Sequence, residues 1–501
     1  MSPALPPLIT ALLDPRAYPH AADRVELIET HASWLLLAGE FAYKVKKPIT
    51  LPFLDYGTLD KREACCRAEL VLNRRFAPDL YLDVVPIGGT PGQPRFGLPA
   101  IEWAVRMRRF DEYGRLDRVA ARGDLRPAHL SQLASTLCAF EKTAAVAAPD
   151  TRYGAPEQVL AAAQENFVEL RQLLPPGEQP QVEQLARWTD AEFARRAADF
   201  AARKTGGFIR EGHGDLHLGN LVLIDGRVTP FDCIEFNDDF RWNDAASEIA
   251  FVWIDLLDHG RPGLAAWLLN AWLEAGGDFQ ALAVLRFYAV YRAVVRAKVA
   301  ALRAGQEDAA QARAEIEAAR DYLQLAWRIA VPSASTLVIT CGLSGSGKTT
   351  ASTARLLDPA GAAAGSILRL RSDVERKRLF GLAPQDSSGS TLDGGIYTAE
   401  ATRRTYARLR ALARDLLAAG WPVIVDAAFL RREERATFRA LADELGVGFG
   451  ILHTEAPVDE LRLRIVARSG DASEATVGVL DRQLESFEPL SAAEQAVAVG
   501  S

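Results

Sequence analysis

The chain divides into two bodies of different grammar: an N-terminal α+β body over 1–330 and a C-terminal α/β body over 336–501 with a parallel sheet. Three observations carry that division. Short strands crowd the first hundred residues and long helices follow them. After a short linker, VPSAS at 331–335, strands and helices alternate, the pattern of a parallel sheet covered on both faces. A Gly-rich run from Gly342 to Thr349 lies between an apolar strand and a helix. At roughly 100–200 residues per domain, 501 residues provide for two to four domains.

Hydrophobic residues make up 49% and charged residues 25%, the balance of a globular protein, which excludes disorder as the main state. No apolar run approaches the roughly 18 residues of a membrane span. The opening MSPALPPLIT lacks the basic segment and apolar core of a secretory signal. Cys65, Cys66, Cys138, Cys233 and Cys341 show no zinc spacing, and their odd number argues against a disulfide framework. A cytoplasmic protein is expected, with no membrane partner. The net charge is −7, with no basic domain, so no nucleic-acid partner is expected. Only nine basic residues are lysine; three of them stand at 44, 46 and 47, and one at 348. In a chain that otherwise favours arginine, those are places to look for phosphate chemistry.

The first elements are three short strands over 23–49: RVELIETH, SWLLLAG and AYKVKKP. LDKREACCRAELVLNRRF is helical. YLDVVPI is a strand, GGTPGQPRFGLPA a turn-rich hairpin region, and IEWAVRMRRF a strand with Ile101, Trp103, Val105 and Met107 on one face. Helices run from Arg126 to about Lys204, broken by LLPPGEQPQ. Loop and strand return in GFIREGHGDLHLGNLVLIDGRVTPFDCIEF, and helices resume from Asn243 to Ala330. Beyond the linker, TLVITC, SILRLRSD, WPVIVDAAF and GFGILHTE are the buried strands.

The upstream chemistry lies in His213-Gly214-Asp215-Leu216-His217-Leu218-Gly219-Asn220, with Asp232 following in PFDCIEF. An Asp that accepts a hydroxyl proton, and an Asn and a second Asp that hold magnesium against phosphates, are the groups of a kinase catalytic loop. The step of five from Asp215 to Asn220 is the step of that loop, and a hairpin would carry Asp232 back beside them. Phe41-Ala42-Tyr43-Lys44 supplies a strand lysine behind a small residue; Lys46 shares its face and is the second choice. Glu69 on the next helix is placed to pair with that lysine, ahead of Glu63.

With those residues, 20–330 resembles the aminoglycoside phosphotransferase-like kinases. The resemblance implies a bilobal, protein-kinase-like fold with a small lobe over about 20–110 and a large lobe over about 111–330. It implies Asp215 as catalytic base and Asn220 and Asp232 as metal ligands. The adenine hinge falls near Met107–Phe110 by order along the chain. No Gly-rich loop joins the first two strands; the turn reads ETHAS.

Downstream, Gly342-Leu343-Ser344-Gly345-Ser346-Gly347-Lys348-Thr349 is a phosphate-binding P-loop. Its backbone N–H groups and the helix start, through Thr350, face the phosphates; Lys348 reaches the β/γ-phosphates and Thr349 ligates magnesium. Val423-Ile424-Val425-Asp426 is the strand of the second magnesium ligand. Asp373 and Arg376 stand three apart at a helix start, where Asp373 could orient an acceptor hydroxyl and Arg376 grip an anion. A helix cap is the structural alternative for Asp373. Arg464 and Arg468, one turn apart, suit a lid over the phosphates, with Arg435 a weaker candidate. Residues 335–490 resemble the small P-loop kinases, a group that includes gluconate, shikimate, polynucleotide 5′-kinases and zeta-toxin-like kinases. The joining of the two halves resembles a group of bacterial predicted kinases. These resemblances imply two Mg·ATP sites, each passing a γ-phosphoryl group to a hydroxyl of a small metabolite. Two alternatives stay open: one half catalytic and the other nucleotide-sensing, or a polynucleotide 5′-hydroxyl kinase downstream.

Overall fold

The computed structural model describes residues 5–51, 53–305, 308–332, 334–358, 365–390, 394–467 and 473–499. They gather into two compact units. The first holds 1–125, 139–159 and 201–252; the second holds 126–138, 160–200 and 253–501. Among the described residues no helix is long and apolar enough to cross a membrane.

In the first unit, strands β1 (Val25–Glu29), β2 (Ser33–Ala38) and β3 (Phe41–Lys46) form an antiparallel meander. Helix α1 (Leu59–Arg74) follows, capped by the Thr58 hydroxyl, which accepts from the Lys61 N–H. Strands β4 (Tyr81–Thr90), β5 (Gln93–Phe96) and β6 (Ala100–Arg108) complete a six-stranded sheet in the order β1-β2-β3-β6-β4-β5. Alternation along β3 sends Tyr43 and Val45 to a core shared with Ile9, Leu12 and Tyr18. Ala42 goes to the opposite face, where Cys66, Val105 and Met107 pack, and Lys44 and Lys46 share that face. Strand β6 alternates as expected with Trp103, Val105 and Met107, but its other face is buried in part as well, giving way to water at Arg106, which pairs with part-exposed Asp83. Ala104 is buried there, and Glu102 is buried against Arg62, whose Nε lies 2.9 Å from its carboxylate.

A hairpin of β7 (Leu221–Ile224) and β8 (Arg227–Pro230) turns through Asp225-Gly226, both with positive φ (49° and 74°). That Asp-Gly pair is the chemistry of a two-residue hairpin turn. Its pairing returns the chain so that Phe231 N–H donates to Asn220 O at 3.0 Å. The helix expected from Asn243 begins at Ala245 instead, because Trp242–Asp244 pair antiparallel with Ile209–Glu211.

The second unit contains helices α2 (Pro262–Gly276), α3 (Leu282–Ala304) and α4 (Ala309–Ala330). There follow β9 (Thr336–Cys341), α5 (Lys348–Leu357), β10 (Leu368–Arg371), α6 (Ser372–Leu379), α7 (Ala399–Ala418) and β11 (Val423–Asp426). Helix α8 (Arg432–Leu445), β12 (Gly448–His453), α9 (Val458–Ala467), α10 (Val477–Ser486) and the short β13 (Ala498–Val499) end it. The sheet is parallel throughout, in the order β10-β11-β9-β12-β13. The anticipated strands are β9 to β12; β13 is an edge strand that the sequence reading did not contain. Val338, Ile424 and Leu452 of the central strands pack against Leu356 of α5, which seats the P-loop helix on the sheet.

Candidate active sites

The first site is built where β3, α1 and the segment after β8 converge. Lys44 Nζ lies 2.9 Å from Glu69 Oε1 and 2.5 Å from Asp232 Oδ1. Lys46 Nζ lies 2.7 Å from Glu69 Oε2 and also pairs with Glu235. One buried carboxylate thus divides its two oxygens between the two lysines of β3. Burial alone would raise the Glu69 carboxyl, but the Lys44 and Lys46 charges outweigh it and hold the group at about 2. Burial opposes charge on both lysines. Asp232 and Glu69 outweigh it at Lys44, and Glu235 and Glu69 at Lys46, so both are held well above the usual lysine range. The lysines differ in access. The Lys44 side chain is 17% exposed and that of Lys46 only 1%, and Lys46 is walled in by the Tyr56 hydroxyl at 3.3 Å. Glu63 is turned outward to Arg67.

Asp232 sits in the left-handed region, φ 64°, a conformation that Asp tolerates better than most residues. Its N–H donates to the Tyr81 hydroxyl at 3.0 Å, and the next N–H, of Cys233, donates to Asn73 Oδ1 at 2.9 Å. Asn73 lies one helical turn beyond Glu69 on α1, and its Nδ2 donates to Glu69 O at 2.9 Å. The same helix therefore fixes the paired carboxylate and the backbone that presents Asp232. Tyr56, Asn73, Tyr81 and Glu235 were not singled out by sequence reasoning; only Glu235, in the same PFDCIEF run, carried a local signal.

On the other side of the site, Asn220 Nδ2 donates to Asp215 Oδ2 at 2.9 Å and to Asp215 O at 3.0 Å. His217 Nε2 lies 3.4 Å from the same Oδ2. His213 is buried, its Nε2 2.8 Å from Phe231 O, and its Nδ1 accepts from Asp215 N–H at 3.3 Å, so the hydrogen bonds assign the neutral Nε2–H tautomer. Burial lowers its pKa accordingly. Gly214, at φ 88°, has no room for a Cβ, which would lie 2.8 Å from Phe240 O. A cleft of about 630 Å3 beside the expected hinge is lined by Leu37, Glu40, Arg109, Phe110 and Tyr113. Phe110 meets Phe231 edge-on at 5.0 Å.

The second site is a cleft of about 1970 Å3 at the C-terminal ends of the parallel strands. Ser344, Gly345, Ser346, Gly347, Lys348, Thr349 and Thr350 line it, as do Asp373, Arg376, Asp426 and Arg464. Lys348 Nζ donates to Gly342 O at 2.9 Å and Leu343 O at 2.8 Å. Gly345 (φ 83°) accommodates the close pass of Leu461 O, 2.9 Å from where a Cβ would stand. Thr454 braces the loop, its hydroxyl 2.8 Å from that of Ser346, and Ser344 N–H donates to Gln483 Oε1 at 2.7 Å. Asp426 closes β11, buried, and accepts from the Ser352 hydroxyl at 3.0 Å.

Asp373 lies inside the first turn of α6; the helix cap position is Arg371, so capping is not its task. Arg376 is buried, its guanidinium 5.2 Å from the Tyr397 ring centre, and it donates to Ile396 O at 3.1 Å and Thr402 Oγ1 at 3.2 Å. Arg464 Nη1 donates to Gly345 O at 3.2 Å, touching the P-loop directly. Arg468 falls outside the described residues. Arg435 is fully buried, paired with Glu494 at 2.6 Å and donating to Phe429 O at 3.0 Å, a structural post.

Both sites offer the oxygen donors that suit magnesium: Asn220 and Asp232 in one, Thr349 and buried Asp426 in the other. Each also holds a lysine whose ammonium is kept beside the acids or the phosphate loop. Residues 337–490 match the AAA_33 family, described as an AAA domain. The P-loop and the residues lining its cleft lie within that matched segment. Across 459 residues the chain is 31% identical to the uncharacterized protein Rv2004c of Mycobacterium tuberculosis (strain ATCC 25618 / H37Rv), over 91% of this chain and 88% of that protein. The chain belongs to the family of that mycobacterial protein.

Among solved structures, the choline kinase of Cryptosporidium parvum Iowa II covers 64% of this chain and 94% of its own, with 9% identity and a TM-score of 0.40. The aminoglycoside phosphotransferase of Alicyclobacillus acidocaldarius covers 66% and 97%, with 14% identity and a TM-score of 0.37.

Proposed function

We propose that the protein carries two ATP-dependent kinase sites, each transferring the γ-phosphoryl group to a hydroxyl of a small metabolite. The observation that carries the reading is the joining of Lys44 to both Glu69 and Asp232, with Asn220 bonded to Asp215 beside them. In that arrangement Lys44 faces the phosphates and Lys46 is a buried buttress. Magnesium, when bound, neutralises phosphate charge next to Asn220 and Asp232 upstream and to Thr349 and Asp426 downstream.

Asp215 takes the proton of the acceptor hydroxyl as its oxygen bonds to the γ-phosphorus. The bond from that phosphorus to the β,γ-bridging oxygen breaks, and ADP leaves. Asn220 and His217 aim the Asp215 carboxylate, so the contribution is positioning and charge rather than a covalent intermediate. Downstream, Asp373 orients the acceptor, Arg376 lies in reach of an anionic group on it, and Lys348 and Arg464 stabilise the phosphoryl charge. None of the five cysteines is joined in a disulfide, which supports a reducing, cytoplasmic setting.

The test is phosphoryl transfer from labelled ATP to a hydroxylated-metabolite library, run on the full chain, Asp215→Ala and Lys348→Ala. Each variant is expected to lose a different phosphorylated product. Nucleotide binding with no magnesium-dependent transfer in the wild type would overturn the reading.

A further inference from the structure

The downstream acid Asp426 is tied to a chain of buried polar groups that starts outside the P-loop kinase segment. Arg369 lies on β10, its side chain 5% exposed. Its Nη1 donates to Ser352 Oγ at 3.2 Å and to Thr353 Oγ1 at 2.8 Å, both on α5. Its Nη2 donates to Glu274 Oε1 at 3.4 Å, and its N–H to Asn270 Oδ1 at 2.6 Å. Asn270 Nδ2 in turn donates to Ile367 O at 2.8 Å. One carboxamide of α2 thus satisfies a donor and an acceptor on the outer edge of β10, the place where an open sheet exposes unpaired backbone groups.

A hydroxyl has one proton to give. The Ser352 oxygen receives from Arg369, which turns its own proton toward the acceptors on its other side, Asp426 Oδ2 at 3.0 Å and Thr349 O at 3.1 Å. Both belong to residues read above as magnesium ligands. Groups that hydrogen-bond to metal ligands, without touching the metal, typically set metal affinity by about 10–100-fold.

We propose that Arg369 is a positioning residue for Asp426, held by Asn270 and Glu274 of α2 and acting through the Ser352 hydroxyl. The proposal rests on reading the P-loop cleft as a magnesium–nucleotide site. It makes α2, which precedes the matched segment 337–490, a working part of that site.

The test is equilibrium binding of a fluorescent ADP analogue, with magnesium and with chelator, on the full chain carrying Lys44→Ala to weaken the upstream site. The readout is the ratio of the two dissociation constants. Ser352→Ala removes only the relay hydroxyl; Arg369→Met removes the positioning charge. Both are expected to cut the magnesium enhancement roughly tenfold with metal-free affinity within about twofold. Glu274→Gln is expected to shift the ratio in the same direction by less. An unchanged ratio in Ser352→Ala and Arg369→Met would overturn the positioning role, as would an equal loss of metal-free affinity. Binding that survives Lys348→Ala in the same background would instead overturn the P-loop reading itself.

Discussion

Lys44 and Lys46 stand on one face of one strand and share one glutamate, yet replacing them should damage different properties. Lys46→Met keeps side-chain length and removes a charge that is 1% exposed. Glu235, 4% exposed, then keeps only the Tyr56 hydroxyl among these partners, and Glu69 Oε2 loses its cation. Breaking a buried pair from one side costs about 3–5 kcal/mol. For a unit of about 200 residues, each kcal/mol lowers the melting temperature by about 2–4 °C, so the first unit should melt roughly 6–20 °C lower. Lys44→Met leaves Glu69 paired with Lys46 and leaves Asp232, 42% exposed, to water. Glu69 Oε1 does lose its cation, so the stability cost should be about 1–3 kcal/mol, below that of Lys46→Met, which also strands buried Glu235. What Lys44→Met removes is the charge proposed to face the phosphates, an expected loss of about 10²–10³-fold in upstream kcat/KM, or 2.7–4 kcal/mol. Thermal unfolding of the full chain, paired with upstream transfer from labelled ATP, reads both quantities. Wild-type melting with lost turnover in Lys46→Met, beside full activity in Lys44→Met, would refute the assignment of the two lysines.

Asp215→Ala should abolish upstream transfer while nucleotide affinity stays within about threefold, roughly 0.7 kcal/mol, because the role proposed for Asp215 is toward the acceptor and not the nucleotide; isothermal titration separates the two. Burial depresses the His213 pKa below its ordinary 6.5. Above pH 6.5 the folded and unfolded chains are both neutral there. As pH falls below it, the unfolded chain binds a proton that the folded chain refuses, so stability declines until the folded value is reached. His213→Gln should make that decline shallower by up to about 1.4 kcal/mol per pH unit in denaturant titrations at pH 5 to 7. Trp421 is fully buried, donates to Leu282 O at 3.1 Å and lies 4.3 Å beneath the Arg286 guanidinium. Trp421→Ala should cost the second unit about 3–5 kcal/mol, read as a lower urea midpoint with the first unit's transition unmoved.

What could be read from the sequence was local in the chain. The P-loop is contiguous, and strand–turn–helix context surrounds it. The step from Asp215 to Asn220 and the Asp225-Gly226 turn contain their own geometry, so the return of Asp232 followed from the hairpin alone. Alternation along β3 placed Lys44 and Lys46 on one face but could not choose between them. The choice depends on Glu235, 189 residues from Lys46, and on Tyr56, neither of which leaves a trace in the strand's own pattern. Buried Glu102 on β6 reads as a solvent-facing residue until Arg62 is seen beside it. Arg376 was legible by spacing, but its commitment to the Ile396 carbonyl and Thr402 was not. Nor was the cover that α2 and α3 give to β10 and Trp421, which involves residues about 100 to 140 apart.

In the function proposed for the protein, one chain holds two nucleotide sites with separate machinery. The most direct measurement of this is the stoichiometry of a fluorescent ATP analogue bound to the full chain in magnesium, by equilibrium titration. The wild type should bind two nucleotides per chain. Lys348→Ala and Lys44→Ala should each bind one, and the double variant none. One nucleotide per wild-type chain, or loss of both from either single substitution in a protein still folded by circular dichroism, would contradict the account.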